Sequence, residues 1–481
     1  MDLSRIKKAY LIGIKGVGMT MLAQFLAEQG IAVAGSDVKE TFMTDAILER
    51  LGIPVHAGFD ERNVPTDADL IIYSTAYNSK TNPELAKAVI GKTRSVPYAV
   101  ALGEIFNQKY GIAVAGSAGK TTTTAWLGYV LERSGLEPNV LVGANVPQFN
   151  GASLVSRSSL MLIEADEYQN KLQYFQPKAV LLNNIDYDHP DYFPTLESYQ
   201  QVFMDFIQKI PRKGFLVANF DDDFIRSTAR VNCHGRVIGY AIDQPADYVA
   251  YDIRCVGGRQ HFKVRMAAQE EELTFADPAR NHDHAATASE LGDFSTRLAG
   301  RHNISNALAV IAAAIELEVP LLDIRRHLGE FTSTSRRMEL MGEYRGVPIM
   351  DDYAHHPVKV RAALDGIRQL YPKERLVVVF HPHTFTRTKA LIDEFAASFS
   401  GVDELVILDI YGSAREEQGG VSSPDLIAKI KELPDQPKVV VHQPTLEDAE
   451  QYLRQTIKKG DVVLLMGAGD VFRVGEKLII G

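Results

Sequence analysis

The stretch GIAVAGSAGKTTTTAWLGYVLE begins at Gly111. It joins a short β-branched run to an amphipathic run through Gly116, Ser117, Ala118, Gly119, Lys120 and Thr121. Strand, glycine turn and helix in that order form the unit from which parallel α/β sheets are built. The glycines let consecutive backbone N–H groups point at phosphate oxygens, and the helix N-terminus adds its positive dipole end. In such a loop Lys120 neutralises β- and γ-phosphate charge, the Thr121 hydroxyl ligates Mg²⁺, and Thr122 continues the first helical turn. The plain alternative is a glycine turn with an exposed lysine. The strand before it, the Gly-Lys-Thr order and the helix after it together predict a nucleotide site. The full eight-residue loop asks for glycine where Val114 stands, which excludes only the longest form of the pattern.

A second glycine turn, GIKGVGM, lies about a hundred residues upstream in the same strand-to-helix setting, with Gly13, Gly16 and Gly18. Asp37 ends the next strand, 19 residues after Gly18. This approximates the dinucleotide fingerprint, in which the acidic residue meets a ribose, but the spacing is GxxGxG rather than GxGxxG. Any nucleotide diphosphate suits the same cradle.

Around these turns, apolar runs alternate with helical patterns along the whole chain. AYLIGI, IAVAGSD and ADLIIYSTA read as strands, and RSVPYAVALGEIFNQKYG as a helix closing a first region near Gly111. LMLIEADE and AVLLNNIDYDH follow in a second region, then a polar, β-rich insertion from about Asn232 to Asp293. RLVVVFH, ELVILDIY, KVVVH and DVVLLMGAG form a third. Three α/β domains in series are expected, over residues 1–110, 111–333 and 334–481. The net charge of −10 excludes a general nucleic-acid binder. Two cysteines, Cys233 and Cys255, suit a reducing compartment. No apolar run reaches the roughly 20 residues of a membrane span, and the N-terminus is a poor signal peptide, so a cytoplasmic protein without a membrane partner is expected.

Polar clusters sit where the predicted strands end. Glu164, Asp166 and Glu167 form EADE, either Mg²⁺ ligands or a solvated loop start. Asp186, Asp188, His189 and Asp191 follow the next strand as a second metal position or a polar loop. Asn303 and Asn306, at i and i+3, open a helix; spacing alone favours a helix cap over an adenine contact. Asp351, Asp352, His355 and His356 suit metal ligation or base chemistry. His381, His383 and Arg387 suit an anionic substrate. Each of the last two clusters also reads as a polar loop.

Taken in order, GSAGKTTTT, EADE, NIDYDHPDYF, GRHNISNA, SRRMEL, DDYAHHP and HPHTFTRT make the chain resemble the Mur ligase family, from YLIGIKGVGM to VLLMGAGD. The resemblance implies a Rossmann-like N-terminal domain for a UDP substrate and a central P-loop-type ATPase domain. A C-terminal Rossmann-like domain then admits an amino acid. It implies ATP and Mg²⁺ as cofactors, and ligation of L-alanine to the carboxylate of UDP-N-acetylmuramate by a monomer or weak homodimer. By that likeness Lys120 and Thr121 meet ATP phosphates and Mg²⁺, Glu164 holds one Mg²⁺ and His189 another. Asn145, Asn303 and Asn306 face the nucleotide, Arg337 the γ-phosphate and Asp352 the ribose. His355, His383 and Arg387 lie on the amino-acid side, and Gly16, Gly18, Ser36, Asp37 and Ser74 contact UDP. Ala118 and Phe59 stand where the family usually has histidine, and Thr384 where many members have arginine. The helix after Asp191 has no lysine before Lys209, so no carbamylated lysine is expected. The competing readings are a ligase that attaches a preformed tripeptide, an NAD(P)-dependent oxidoreductase and a non-catalytic nucleotide-binding regulator.

Overall fold

The computed structural model describes residues 2–42, 44–267, 289–412 and 418–480. Part of the insertion expected over 232–293, residues 268–288, lies outside the described residues. Three sheets carry the described residues.

The first runs β3-β2-β1-β4-β5, from β1 (Lys8–Ile12), β2 (Ala32–Asp37), β3 (Val55–Ala57), β4 (Leu70–Tyr73) and β5 (Arg94–Pro97), with every pair parallel. The order reverses beside β1, so the Gly13–Gly18 turn opens at the crevice where such sheets receive ligands. Sequence periodicity had Arg94 onward as helix alone. The structure instead forms β5 and then the helix Tyr98–Phe106, because Pro97 ends the strand and serves as the helix N-cap.

The second sheet has ten strands: β6 (Tyr110–Ala115), β7 (Asn139–Val146), β8 (Gly151–Leu154), β9 (Leu160–Glu164), β10 (Ala179–Leu182), β11 (Phe215–Asn219), β12 (Arg236–Ala241), β13 (Tyr248–Val256), β14 (Arg259–Met266) and β15 (Ser289–Thr296). β6 lies between β10 and β9, parallel to both, and its C-terminal end carries the Lys120 loop. β13, β14 and β15 extend the sheet as an antiparallel meander. This is the β-rich character expected of the insertion.

The third sheet runs β16-β17-β21-β18-β19-β20, with β16 (Glu339–Tyr344) antiparallel to β17 (Val347–Asp352). β18 (Arg375–Phe380), β19 (Glu404–Ile407), β20 (Val439–His442) and β21 (Asp461–Met466) complete a parallel block.

The units are joined in two ways. One continuous apolar core runs from Leu22 and Phe25 of helix Val17–Glu28 through Leu141, Ala152 and Met161 of the ten-stranded sheet. The six-stranded sheet keeps its own apolar clusters, one on each face. It meets the central unit through polar contacts: Ser335 N donates to Asn145 O at 2.9 Å, and Gly300 N to Gln369 Oε1 at 2.9 Å. No described helix is long and apolar enough to cross a membrane.

The helix Lys120–Arg133 is buried on most of its surface, and Trp126 is the anchor on its far side. Its indole donates to Leu328 O at 3.1 Å and stacks on Phe331 with centroids 5.6 Å apart. It is the only tryptophan in the chain, so its fluorescence reports this core alone. Trp126→Ala removes a fully buried ring and is expected to cost about 3–5 kcal/mol, read as a lower urea midpoint by circular dichroism. An unchanged midpoint would contradict the packing role.

Candidate active site

A cleft of about 1750 Å³ opens between the three units. Lys15 and Gly16 line it from the first, Lys120 and Asn306 from the second, and Arg337 and Lys359 from the third.

The Lys120 loop is held from below by the end of β10. Ser117 N donates to Asn184 O at 3.0 Å and Ala118 N to Asn184 Oδ1 at 2.8 Å. The Ser117 hydroxyl donates to Asp186 O at 2.6 Å. Gly116 and Gly119 have φ of +132° and +79°, and both are crowded. A Cβ on Gly119 would lie 2.5 Å from Asn306 Oδ1 and 2.7 Å from Asn183 Nδ2. No other residue fits there without moving the asparagines that shape the loop.

The charges on the loop are already matched. Lys120 Nζ lies 2.7 Å from Glu167 Oε2 and also donates to Gly116 O. Burial works against the ammonium, but Glu167 and Asp166 outweigh it and hold its pKa above the ordinary value. Burial likewise opposes ionisation of Glu167, yet Lys120 and His189 pull its carboxyl well below the usual range. His189 Nε2 lies 3.5 Å from Glu167 Oε1, on a backbone in the left-handed region at φ +60°. Beside this pair the Thr121 hydroxyl donates to Glu164 Oε1 at 2.8 Å, and Gly143 N donates to Glu164 Oε2 at 2.8 Å.

Thr121 and Glu164 are adjacent hard oxygen donors, which fits Mg²⁺. Among the described residues no three acidic, histidine or cysteine side chains converge into a metal cage.

Family models match three consecutive stretches: the Mur ligase family catalytic domain over 8–110, the Mur ligase middle domain over 114–314, and the Mur ligase glutamate ligase domain over 336–469. The chain belongs to the Mur ligase family. It is 37% identical to a UDP-N-acetylmuramate–L-alanine ligase of Desulfitobacterium hafniense, across 98% of this chain and 99% of that one. Its fold is similar to the UDP-N-acetylmuramate–alanine ligase MurC of Thermotoga maritima, with a TM-score of 0.78, 23% identity and 98% coverage of both chains. It is also similar to a murein peptide ligase of Psychrobacter arcticus, with a TM-score of 0.71, 22% identity and 98% coverage of both.

In this Mur ligase the helix Arg301–Glu316 is capped by Gly300, without any side-chain cap. The cap suggested by the spacing of Asn303 and Asn306 is therefore corrected. Asn303 Nδ2 donates back to Ala299 O at 2.6 Å, Asn306 Nδ2 donates to Asn303 Oδ1 at 3.1 Å, and both line the cleft beside Gly119. Asn145 lines it too, donating to Ser335 Oγ at 3.2 Å. Arg337 lies 5.1 Å from the Tyr353 ring. Asp352 accepts from Met338 N at 2.9 Å and Ala354 N at 2.8 Å, and its pKa is raised, chiefly by burial.

Among the residues expected on the amino-acid side, His355 Nδ1 is bound to Tyr353 O at 2.7 Å and its ring lies 5.9 Å from that of His383. Burial foremost, then Lys359 and Arg387, drives its pKa well down, so the imidazole is neutral. His383 stacks on Tyr411 at 5.6 Å. Thr384 takes φ +69° and starts the helix Phe385–Ala390. Arg387 is not left open: its Nε and Nη2 lie 3.1 and 2.9 Å from Asp188 Oδ1. His356 Nε2 meets Tyr187 O at 3.0 Å beside this pair.

The UDP-side candidates divide. Gly16 lines the cleft and caps the helix Val17–Glu28 through its backbone, and a Cβ on Gly18 would lie 3.0 Å from the Tyr98 ring. Ser36 is fully buried, with its hydroxyl donating to Glu84, so its side chain is not presented to the cleft. Asp37 accepts from Lys15 N at 2.7 Å and Tyr77 OH at 2.7 Å, fixing the glycine turn from behind. Ser74 lies beside Gly13, and its Oγ accepts from Ala76 N at 3.2 Å. Phe59 packs edge-on against Tyr77 at 4.7 Å.

Sequence reasoning missed Glu84, Lys15, Asn183, Asn184 and Lys359. Only the asparagines had a signal, as the NN that precedes IDYDH.

Asp188 joins the central and C-terminal units, and breaking a buried pair from one side costs about 3–5 kcal/mol. Asp188→Asn is expected to lower the urea midpoint and raise the radius of gyration in small-angle scattering. Burial opposes the Asp188 carboxylate, but Arg387 and His189 hold its pKa well below the ordinary 3.8. Its contribution is therefore complete above pH 3.8 and fades as pH falls through the lowered value. Unchanged scattering in the variant would show that the pair does not dock the units.

Proposed function

We propose that this Mur ligase joins L-alanine to the carboxylate of UDP-N-acetylmuramate, splitting ATP to ADP and phosphate in a cytoplasmic step of peptidoglycan precursor synthesis. The observation that carries the reading is one cleft lined by residues of two different glycine turns, Gly16 of one and residues 117–121 of the other, the second with the Thr121 hydroxyl bonded to Glu164. The full-length likeness to alanine-adding ligases supports the choice of substrates. We divide the chain functionally at residues 111 and 334.

The reaction must bring two anions together, since a muramyl carboxylate attacks the γ-phosphate. Lys120 and Arg337 offset that repulsion and stabilise the transferring charge. Thr121 and Glu164 would hold one Mg²⁺ and His189 another, and bound Mg²⁺ would supply further charge neutralisation at the phosphates. Gly116, Ser117, Ala118, Gly119 and Thr122 shape the phosphate loop. Asn145, Asn303 and Asn306 face the base, and Asp352 the ribose. Gly16, Gly18 and Ser74, with Asp37 behind them, form the UDP cradle. His355 and His383, neutral and stacked respectively, border the amino acid, with Arg387 held beside them. The carboxylate becomes an acyl phosphate, which the alanine amine then attacks with phosphate as the leaving group.

The deciding assay is phosphate release from ATP and Mg²⁺ with UDP-N-acetylmuramate, adding L-alanine or the L-Ala-γ-D-Glu-meso-diaminopimelate tripeptide in separate reactions. Release that depends on L-alanine, with a product heavier by one alanyl residue, is expected. Release with the tripeptide alone would overturn the assignment. Lys120→Ala is expected to lower turnover by at least about 100-fold while the UDP substrate still binds in calorimetry. Wild-type phosphate release in that variant would remove Lys120 from its role.

A further inference from the structure

Lys359 is the third residue of the helix Pro357–Leu370. A lysine in a first helical turn opposes the helix dipole, so helix stability does not account for it. Its side chain is 19% exposed and lines the cleft. Its neighbours Lys120 and Arg387 are both committed, Lys120 to Glu167 at 2.7 Å and Arg387 to Asp188 through two N–H groups. Lys359 Nζ lies 3.7 Å from Asp188 Oδ2, beyond hydrogen-bond range, on a carboxylate already engaged by Arg387. Among the described residues its ammonium makes no hydrogen bond. A half-buried ammonium at the cleft wall, with its hydrogen-bond donors unused, suits an anion arriving in the cleft. Burial foremost, with Lys120 and Arg387 adding to it and Asp188 opposing, lowers its pKa to about 8. Lys120 and Glu167, both on the phosphate-loop side, act on it directly.

We propose that Lys359 holds the phosphoryl oxygens during transfer from ATP to the muramyl carboxylate, and keeps them in the acyl phosphate until the amine attacks. This deepens the ligase reading above and rests on it. In the first step a carboxylate oxygen bonds to the γ-phosphorus, and the bond from that phosphorus to the bridging oxygen breaks with its electron pair on ADP. In the second the amine nitrogen bonds to the acyl carbon, and the acyl C–O bond breaks with its pair on phosphate. The amine's proton leaves with that phosphate. One cation on the same oxygens serves both steps, first as a clamp on the transferred group and then as a stabiliser of the leaving group.

The test compares the full-length wild type with Lys359→Met and Lys359→Arg. Three readouts are taken: kcat and KM for each substrate, calorimetric binding of the UDP substrate, and scrambling of a heavy-oxygen label from the β,γ-bridge of ATP without L-alanine. The last reports the first step alone. Lys359→Met is expected to lower kcat and scrambling together by on the order of 100-fold, with UDP-substrate binding and the L-alanine KM little changed. Lys359→Arg is expected to recover most of both. Wild-type scrambling in the methionine variant would overturn the proposal. So would a loss confined to the L-alanine KM, which would place Lys359 on the amino acid's carboxylate. Lost UDP-substrate binding that arginine does not restore would make it a structural residue. A wild type that neither scrambles ATP nor releases phosphate with L-alanine or the tripeptide would sink the ligase reading, and this inference with it. Normal wild-type turnover with an unaffected methionine variant would sink the inference alone.

Discussion

The backbone has to leave a buried strand at Ala115 and enter a helix at Lys120 with almost no room on either side. Much of the cleft follows from that constraint. The loop can be so tight because Asn183 and Asn184, at the end of the neighbouring strand, bond its atoms from one side, while Asn306 presses on Gly119 from another. Once the loop is placed, Lys120 meets Glu167 just past β9 and the carbonyl of Gly116, and Thr121 meets Glu164 directly. A parallel sheet therefore does more than carry the site. It brings the C-terminal ends of several strands to one rim, where residues far apart in sequence become neighbours.

The same logic governs the charges. Lys120 with Glu167 and Arg387 with Asp188 are buried opposite-charge pairs. Each would be expensive to bury alone. Pairing lets the protein hold strong cations in a low-dielectric cleft before any substrate is present. Under the function proposed above, a phosphate arriving at Lys120 would take it over from Glu167 rather than neutralise a bare charge. Pairing keeps the cost of burying each charge moderate.

How far the sequence disclosed this depends on distance along the chain. The phosphate loop, its strand and its helix are local, and they were legible from Gly111 onward. The acidic clusters at strand ends were legible as clusters, because an apolar run followed by carboxylates is a local pattern as well. Asn303 and Asn306 were misleading: their spacing resembles a cap, but the left-handed side of backbone space at Gly300, φ +92°, lets the helix start without one. The family resemblance put Ser36 on the UDP side, whereas its hydroxyl is consumed by Glu84, 48 residues later. Arg387 meets a carboxylate 199 residues upstream, which no periodicity reveals. Arg94–Pro97 was read as helix because a four-residue edge strand leaves too little pattern to count.

The contrast between the two joints of the molecule has a mechanical meaning. Hydrocarbon that is continuous from helix Val17–Glu28 into the ten-stranded sheet resists sliding, since any shift opens voids in a close-packed interior. Polar pairs such as Arg387 with Asp188, and single hydrogen bonds such as Ser335 to Asn145, can be traded for water far more readily. The two glycine turns are thus mounted on one rigid frame, at a fixed separation. Of the two joints, the one that carries the six-stranded unit, with Lys359 and His355 at its edge, costs less to loosen.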